Sequence, residues 1–151
     1  MKFIADVMLG RLAKRLRLLG FDVLYGSSLD DNELIRLSLE QDRVILTRDA
    51  ALAARPLAAN HLFIKSERIR DQLHQVLSAF PAEALPLTRC SRCNEPLRRM
   101  AKQDIADLVP SHVFETQEEF FKCEACGRIY WRGTHVKRME WAGIKKSRSE
   151  A

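Results

Sequence analysis

The chain has 151 residues, which is enough for one domain or for two small ones. Its net charge of +5 and its pI near 9.2 are compatible with a phosphate-bearing partner such as RNA, without requiring one. The sequence contains no long apolar segment and opens directly on strand-like residues. We therefore expect no signal peptide, no membrane partner and a cytoplasmic location.

The first 80 residues alternate between predicted strands and predicted helices. Strands are expected at residues 2–7, 21–25, 43–47 and 61–65. The first helix follows from the helical spacing of its leucines and ends near Gly20, with its basic side chains, Arg17 among them, mostly on the opposite side. Further helices are expected at 31–41 and 67–80, with a segment broken by Pro56 between them. Such alternation predicts an α/β fold with a mostly parallel sheet covered on both faces.

The second part of the chain is short and polar. Residues 81–89 contain two prolines and are expected to link a domain at 1–80 to a small domain at 90–140, followed by a mostly disordered tail at 141–151. Short strands are expected at 119–123 and 128–132. A unit of this size usually needs a metal to stabilise it.

All four cysteines of the chain lie in two Cys-x-x-Cys pairs, Cys90 with Cys93 and Cys123 with Cys126. Two such pairs supply the four thiolates of a closed, tetrahedral, structural Zn²⁺ site. Two disulfides or two redox pairs are the alternative, which a reducing compartment disfavours. We expect a zinc ribbon with one Zn²⁺ per chain, and we expect metal removal to unfold residues 90–135 while sparing most of the N-terminal fold.

Acidic residues follow the predicted strands. Asp6 ends the first strand, Asp49 follows the third, and Asp30, Asp31 and Glu33 open the second helix. In a parallel sheet these positions meet at the carboxyl edge, where ligands bind. Carboxylates converging there suit Mg²⁺ or Mn²⁺, which can activate water for phosphodiester cleavage. Helix capping explains each acid other than Asp6 equally well.

Basic residues lie close to this edge. Arg11, Lys14 and Arg15 belong to the start of the first helix, on the side of the chain where Asp6 is expected. They could hold RNA phosphates, which would make affinity depend on salt. A solvated helix face is the alternative interpretation.

Three residues near the last cysteine are further RNA-binding candidates. His135 follows a Gly-Thr pair and could contact a phosphate, or it could pack behind the cysteines. Tyr130 and Trp131 alternate along the predicted strand, so one could stack on an unpaired base. Packing in the ribbon core explains both aromatic residues as well.

Several motifs together resemble the Mut-seven C-terminal ribonuclease family. They are DVMLGRLA at 6–13, LLGFD at 18–22, LTRD at 46–49, the paired cysteines, and CGRIYWRGTH at 126–135. The resemblance spans roughly residues 2–139. It implies a three-layer α/β/α PIN-like domain fused to a zinc ribbon that binds RNA. It also implies metal-dependent hydrolysis of RNA phosphodiester bonds.

The resemblance assigns roles to individual positions. Asp6 matches the first aspartate of the PIN pattern, Asp49 the acid of its Thr-x-Asp element, and Thr47 the hydroxyl that supports that acid. The second acid of the pattern falls on one of three residues: Asp30, Asp31 or Glu33. A fourth acid is missing, since the neighbourhood offers only Glu67, a poor substitute. The alternative is therefore a non-catalytic RNA-binding or adaptor protein with a degenerate PIN-like site.

Overall fold

A computed structural model describes residues 1–81 and 84–133. Its first sheet has four parallel strands in the order β2-β1-β3-β4. The strands are β1 (Lys2–Ala5), β2 (Asp22–Leu24), β3 (Val44–Thr47) and β4 (His61–Phe63). The expected α/β fold with a mostly parallel sheet is confirmed.

The helices of this part lie between the strands. They are α1 (Gly10–Leu18), α2 (Asp31–Gln41), α3 (Ala50–Ala53) and α4 (Ile69–Ala79), with 3₁₀ turns at Val7–Leu9 and Pro56–Ala58. Helix α1 ends before Gly20, whose φ of +93° glycine adopts without strain. Pro56 opens the second 3₁₀ turn, where it needs no N–H donor, so the alanine- and leucine-rich segment is divided there.

Two apolar clusters pack around the sheet. Phe3 and Ala5 of β1 belong to a cluster that includes the buried leucines of α1 and α4. Ile4, which points the other way because side chains alternate along a strand, belongs to a cluster with α2 and α3. This alternation holds the ends of β1 and β3 in fixed positions.

The second sheet is antiparallel and lies near the cysteines. Its order is β5-β6-β7, from β5 (Arg98–Met100), β6 (Phe120–Lys122) and β7 (Ile129–Tyr130), with α5 (Ser111–Thr116) and a 3₁₀ turn at Lys102–Asp104 before β6. Ile105, Val113 and Phe120 form its small core. The strands at 119–123 and 128–132 were expected, whereas β5 was not, because two of its three residues are arginines without apolar alternation.

The expected linker packs on helix α1. Ala84 and Leu87 are buried in the core of the first sheet. The backbone N–H of Leu85 donates to Leu19 O at 2.8 Å, and that of Leu87 donates to Leu18 O at 2.9 Å. The described part of this segment therefore holds the cysteine region against the C-terminal end of α1.

Within the described ranges, no helix is both long and apolar enough to cross a membrane. The end of the expected ribbon (134–140) and the expected tail (141–151) lie outside the described residues.

Candidate functional site

The topology of the first sheet places Asp6 next to Thr47, which precedes Asp49 by two residues. Strands β1 and β3 are neighbours, but the chain leaves β1 toward β2 on one side and β3 toward β4 on the other. The carboxyl ends of two such strands flank a topological switch point, the usual ligand-binding crevice of open α/β sheets. Asp6 follows β1 directly, and Thr47 is the last residue of β3.

Asp6 is held by three hydrogen bonds and is only 6% exposed. Its Oδ1 accepts from the N–H of Met8 at 2.9 Å. Its Oδ2 accepts from the Thr47 hydroxyl at 2.5 Å and from the N–H of Arg48 at 3.1 Å. A carboxylate has about four acceptor positions, so one remains on Oδ1 for a further partner.

Asp49 is joined to the same arrangement through Thr47. Its backbone N–H donates to Thr47 Oγ1 at 2.9 Å, while that hydroxyl donates to Asp6. Its Oδ1 caps helix α3 by accepting from the N–H groups of Ala51 and Leu52 at 2.9 and 3.3 Å. Its Oδ2 has no hydrogen-bond partner in the described part of the chain. Capping and ligand binding can thus use different oxygens of Asp49.

The three remaining acids lie together at the start of α2 and are all exposed. Asp30 is the N-cap of the helix, and its Oδ1 accepts from the N–H of Glu33 at 2.8 Å. Asp31 and Glu33 occupy the first turn, where negative charge is favourable. The capping interpretation therefore holds for Asp30.

The acids do not form a dense cluster. Across residues 1–81 and 84–133, the only group of three or more potential ligands with atoms within 4.8 Å of one another is made of cysteines. Two carboxylates are nevertheless a common protein contribution to a Mg²⁺ site, because the ion keeps several waters and takes phosphate oxygens. Asp6 and Asp49 each keep an acceptor position that no described residue uses.

Arg48 is a cation at the same edge that sequence reasoning did not single out. Its Nη2 lies 3.7 Å from Glu67 Oε1, and Glu67 itself is 90% exposed. Its Nη1 is buried and has no hydrogen-bond partner among the described residues. Glu67, the weak candidate for a fourth acid, thus faces an arginine.

The four cysteines form a compact cluster of free thiols, with all four sulfurs within 4.8 Å of one another. Cys90 Sγ and Cys126 Sγ are 3.8 Å apart. Tetrahedral Zn²⁺ with Zn–S bonds near 2.3 Å would separate its sulfurs by about 3.8 Å. The donor set and its spacing therefore fit the expected structural zinc, which these four cysteines would hold.

Neighbouring groups prepare one thiol of this cluster for metal binding. The pKa of Cys90 is lowered to about 7. Burial alone would raise this pKa, but hydrogen bonds from Tyr130 and from backbone N–H groups outweigh that effect. Burial and the adjacent sulfurs raise the pKa of Cys93 to about 12. Tyr130 Oη lies 3.0 Å from Cys90 Sγ and accepts from the N–H of Ser91 at 3.2 Å. Metal binding must therefore displace the proton of Cys93.

Arg17 joins helix α1 to the first cysteine pair, a role that its place on a polar helix face did not reveal. Burial lowers its pKa, although the charges of Cys90 and Cys93 oppose that effect. Its guanidinium donates to the carbonyls of Val23, Ser91 and Arg92 at 2.9, 3.1 and 3.2 Å. This buried cation compensates part of the negative charge that a Zn²⁺ site with four thiolates carries.

Three of the predicted RNA-binding residues line one cavity. Arg11, Lys14 and Arg15 line a cavity of about 430 Å³ between α1 and the β7 region, whose other wall includes Tyr130 and Trp131. Helix α1 positions these cations because it starts immediately after the turn that carries Asp6. His135, the fourth predicted residue, lies outside the described residues.

Comparisons with known proteins bear on the same residues. The model of the Mut7-C RNAse domain matches residues 1–142, which include the acids at the switch point and both cysteine pairs. No curated protein and no solved structure matches the chain significantly. The match covers nearly all of the 151 residues. The chain belongs to the Mut7-C RNAse domain family.

Proposed function

We propose that the protein is a metal-dependent ribonuclease that hydrolyses RNA phosphodiester bonds at the carboxyl edge of β1 and β3. One observation carries the proposal: the Thr47 hydroxyl donates to the Asp6 carboxylate and accepts from the backbone N–H of Asp49, which joins one carboxylate and the backbone of the other acid at the switch point of the sheet. Membership in an RNAse family supplies the reaction class.

Within this proposal, Asp6 and Asp49 hold Mg²⁺ or Mn²⁺ through their unused acceptor positions. A bound ion of this kind supplies the activation of water and the stabilisation of negative charge that phosphodiester hydrolysis needs. Thr47 fixes the orientation of Asp6, and Arg48 offers a positive charge to the phosphate. One acid at the start of α2 (Asp30, Asp31 or Glu33) completes the site when substrate is bound.

The rest of the chain supports this site. The two apolar clusters around the first sheet are, in this proposal, the flanks of a three-layer PIN-like domain. The zinc ribbon holds structure through its four cysteines and adds RNA-binding surface. Arg11, Lys14 and Arg15 bind phosphates beside the cleaved bond, a role that their shared place in one cavity wall supports.

The test is RNA cleavage by the zinc-loaded protein with Mg²⁺ or Mn²⁺. Asp6→Asn and Asp49→Asn should each lower the rate by about 100-fold or more, since each removes a charged ligand of the ion. Both variants should also bind Mn²⁺ more weakly in titration calorimetry, a measurement independent of turnover. Asp107→Asn, an exposed acid in the second part of the chain, is the matched control. Unchanged cleavage in both switch-point variants would refute the site.

A non-catalytic RNA-binding function is the second candidate, and the pairing of Glu67 with Arg48 favours it. That pairing leaves the position of a fourth acid neutralised. This function is established instead if the protein binds RNA with a steep salt dependence, shows no turnover with either ion, and keeps its affinity in Asp6→Asn and Asp49→Asn.

A further inference from the structure

The cavity beside α1 has one basic wall. Arg11, Lys14, Arg15 and Leu18 occupy positions i, i+3, i+4 and i+7, so they share one face of the helix. At 1.5 Å per residue this face extends about 10 Å along the helix axis. It begins next to the turn after Asp6 and runs toward the first cysteine pair.

Two cations of this basic wall, Arg11 and Lys14, have no acidic partner among the described residues. No acidic side chain belongs to the described residues that line the cavity. Arg11 and Lys14 are exposed, and neither forms an ion pair with another described residue. Cations that nothing in the described ranges neutralises favour an anionic occupant.

The opposite wall is largely apolar and aromatic. Ile129, Tyr130 and Trp131 line it together with Ser91 and Leu87. Tyr130 is fixed in place, because its hydroxyl contacts Cys90 and Ser91 and its ring packs on the core of the first sheet. Trp131 contacts Phe120 at a centroid distance of 6.4 Å and remains half-buried, so part of its indole faces the cavity.

An occupant must therefore combine repeated negative charge with a flat apolar group. Unpaired RNA has both, because its phosphates are regularly spaced and its bases are free to stack on aromatic side chains. A base stacked inside a duplex offers no free face, whereas every unpaired nucleotide joins a phosphate to a base that can stack. The volume of about 430 Å³ lies within the range of about 300–1,000 Å³ found for ligand pockets.

We propose that the cavity between α1 and β7 holds an unpaired segment of the RNA adjacent to the bond that is cleaved. Arg11 and Lys14 bind its phosphates, and Trp131 stacks on one of its bases. The zinc ribbon thereby contributes directly to substrate selection, and the preferred substrate is single-stranded. This inference rests on the proposed ribonuclease function and extends it to the substrate class.

The experiment measures binding without cleavage in the full-length Asp6→Asn protein. Fluorescence anisotropy compares a labelled 12-nucleotide RNA with a blunt duplex of the same sequence, and uridine monophosphate serves as a competitor. The single strand should bind more tightly than the duplex, and the mononucleotide should compete only weakly. Equal affinity for strand and duplex, or mononucleotide binding as tight as that of the strand, would overturn the proposal.

Two substitutions locate the binding. Lys14→Gln should weaken binding and lower the salt slope by about 0.7, the value for one phosphate contact on a single strand. Trp131→Leu should weaken binding roughly 5- to 150-fold, as loss of one stacked base does, whereas Trp131→Phe should keep most of the affinity. Lys2→Gln, at the amino edge of the sheet, is the charge-matched control and should bind normally.

If the Trp131→Leu protein fails to fold, a second measurement still tests the proposal. Trp131 and Trp141 are the only tryptophans, so Trp141→Phe leaves a single reporter. RNA should quench the fluorescence of Trp131. An absence of quenching, or unchanged affinity in Lys14→Gln, would refute RNA binding in the cavity.

The two proposals fail separately. If the wild-type protein cleaves RNA but Lys14→Gln and Trp131→Leu bind RNA normally, only the proposed RNA site in the cavity is wrong. If these two variants lose affinity for RNA while the wild-type protein never cleaves RNA, only the proposed ribonuclease function is wrong.

Discussion

At the scale of single residues, Thr47 gives the candidate site its geometry. Its hydroxyl has one proton and two lone pairs, and it uses the proton for Asp6 and a lone pair for the N–H of Asp49. Thr47 is fully buried, so neither bond competes with water. A threonine two residues before an aspartate therefore orients one carboxylate and the backbone of the other.

The role of the acids at the start of α2 can be separated from helix capping. Asn caps a helix about as well as Asp, so Asp30→Asn keeps the bond to the Glu33 N–H while it removes the charge. The three variants to compare are Asp30→Asn, Asp31→Asn and Glu33→Gln. The variant that replaces the catalytic acid should lose most of the RNA cleavage, while its free energy of unfolding stays within about 0.5 kcal/mol of wild type. Full activity in all three variants would exclude α2 from the site.

Asp22 makes stability depend on pH. Its Oδ1 accepts from Arg43 Nη1 at 2.7 Å and from Asn94 Nδ2 at 2.8 Å. Burial alone would raise the pKa of Asp22, but these hydrogen bonds and the charge of Arg43 outweigh it, so the pKa is lowered. A lowered folded-state pKa stabilises the protein above the unfolded value of about 4, and the contribution is lost as pH falls through the folded-state pKa.

We expect Asp22→Asn to reduce the free energy of unfolding by about 2 kcal/mol at pH 7, as loss of a hydrogen bond to a charged group does. The difference between variant and wild type should begin to shrink below about pH 4, where Asp22 of the unfolded chain becomes protonated, and should disappear below the folded-state pKa of Asp22. Urea denaturation at a series of pH values measures it, with Asp107→Asn as control for general acid effects. A difference that stays constant down to pH 3 would contradict the assigned ion pair.

At the scale of elements, two glycines with positive φ end different structures. Gly20 (φ +93°) ends α1, and a Cβ there would lie 2.4 Å from Leu85 O and 2.7 Å from Thr88 Oγ1. Gly127 (φ +77°) follows the second cysteine pair, and a Cβ there would have no atom of the described residues within 4 Å. The first glycine thus allows both a backbone conformation and a close approach of the segment after α4, and the second allows the conformation alone.

These glycines form a matched pair of substitutions. Gly127→Ala should cost about 1 kcal/mol from backbone strain. Gly20→Ala should cost about 3 kcal/mol, because the clash with the backbone of Leu85 adds to the same strain. Denaturation of the zinc-saturated proteins measures both, and equal costs would show that the 84–88 segment yields without penalty.

At the scale of the whole molecule, the cysteine region and the first sheet share hydrogen bonds. Asn94 Oδ1 accepts from the N–H of Val23 at 3.0 Å, so a residue of the first cysteine pair's turn completes strand β2. Arg17 bonds to carbonyls on both sides of this boundary. Loss of zinc should therefore reach β2, although most of the N-terminal fold keeps its own core.

Hydrogen exchange tests this coupling. Chelation should increase exchange across the described part of the cysteine region and also at residues 22–24, while β3, in the sheet interior, stays protected. Asn94→Ala in the zinc-loaded protein should expose the Val23 amide without releasing the metal, which separates the hydrogen bond from the metal itself. Undisturbed protection at 22–24 after chelation would show that the two parts are independent.

Much of this architecture was predictable from the sequence, because the patterns involved are local. The 31–41 helix was predicted with the bounds that the structure has, since Asp30 caps it and its leucines recur at helical spacing. The α5 helix has only six residues, too few to show that spacing, and it was missed. Asp6 was identified because it directly follows a predicted strand, and the cysteines were identified because they occur in pairs three residues apart.

The sequence by itself determined the alternation of strands and helices, the two cysteine pairs and the family, because each of these depends on short motifs of residues close together along the chain. Only the tertiary structure decided which distant groups come together: Thr47 bonds to Asp6, Arg17 bonds to the Ser91 carbonyl, and the basic face of α1 lines one cavity with Trp131. Such contacts join residues about 40 to 120 positions apart, and strand order and packing of the whole chain, not local preference, set their distances.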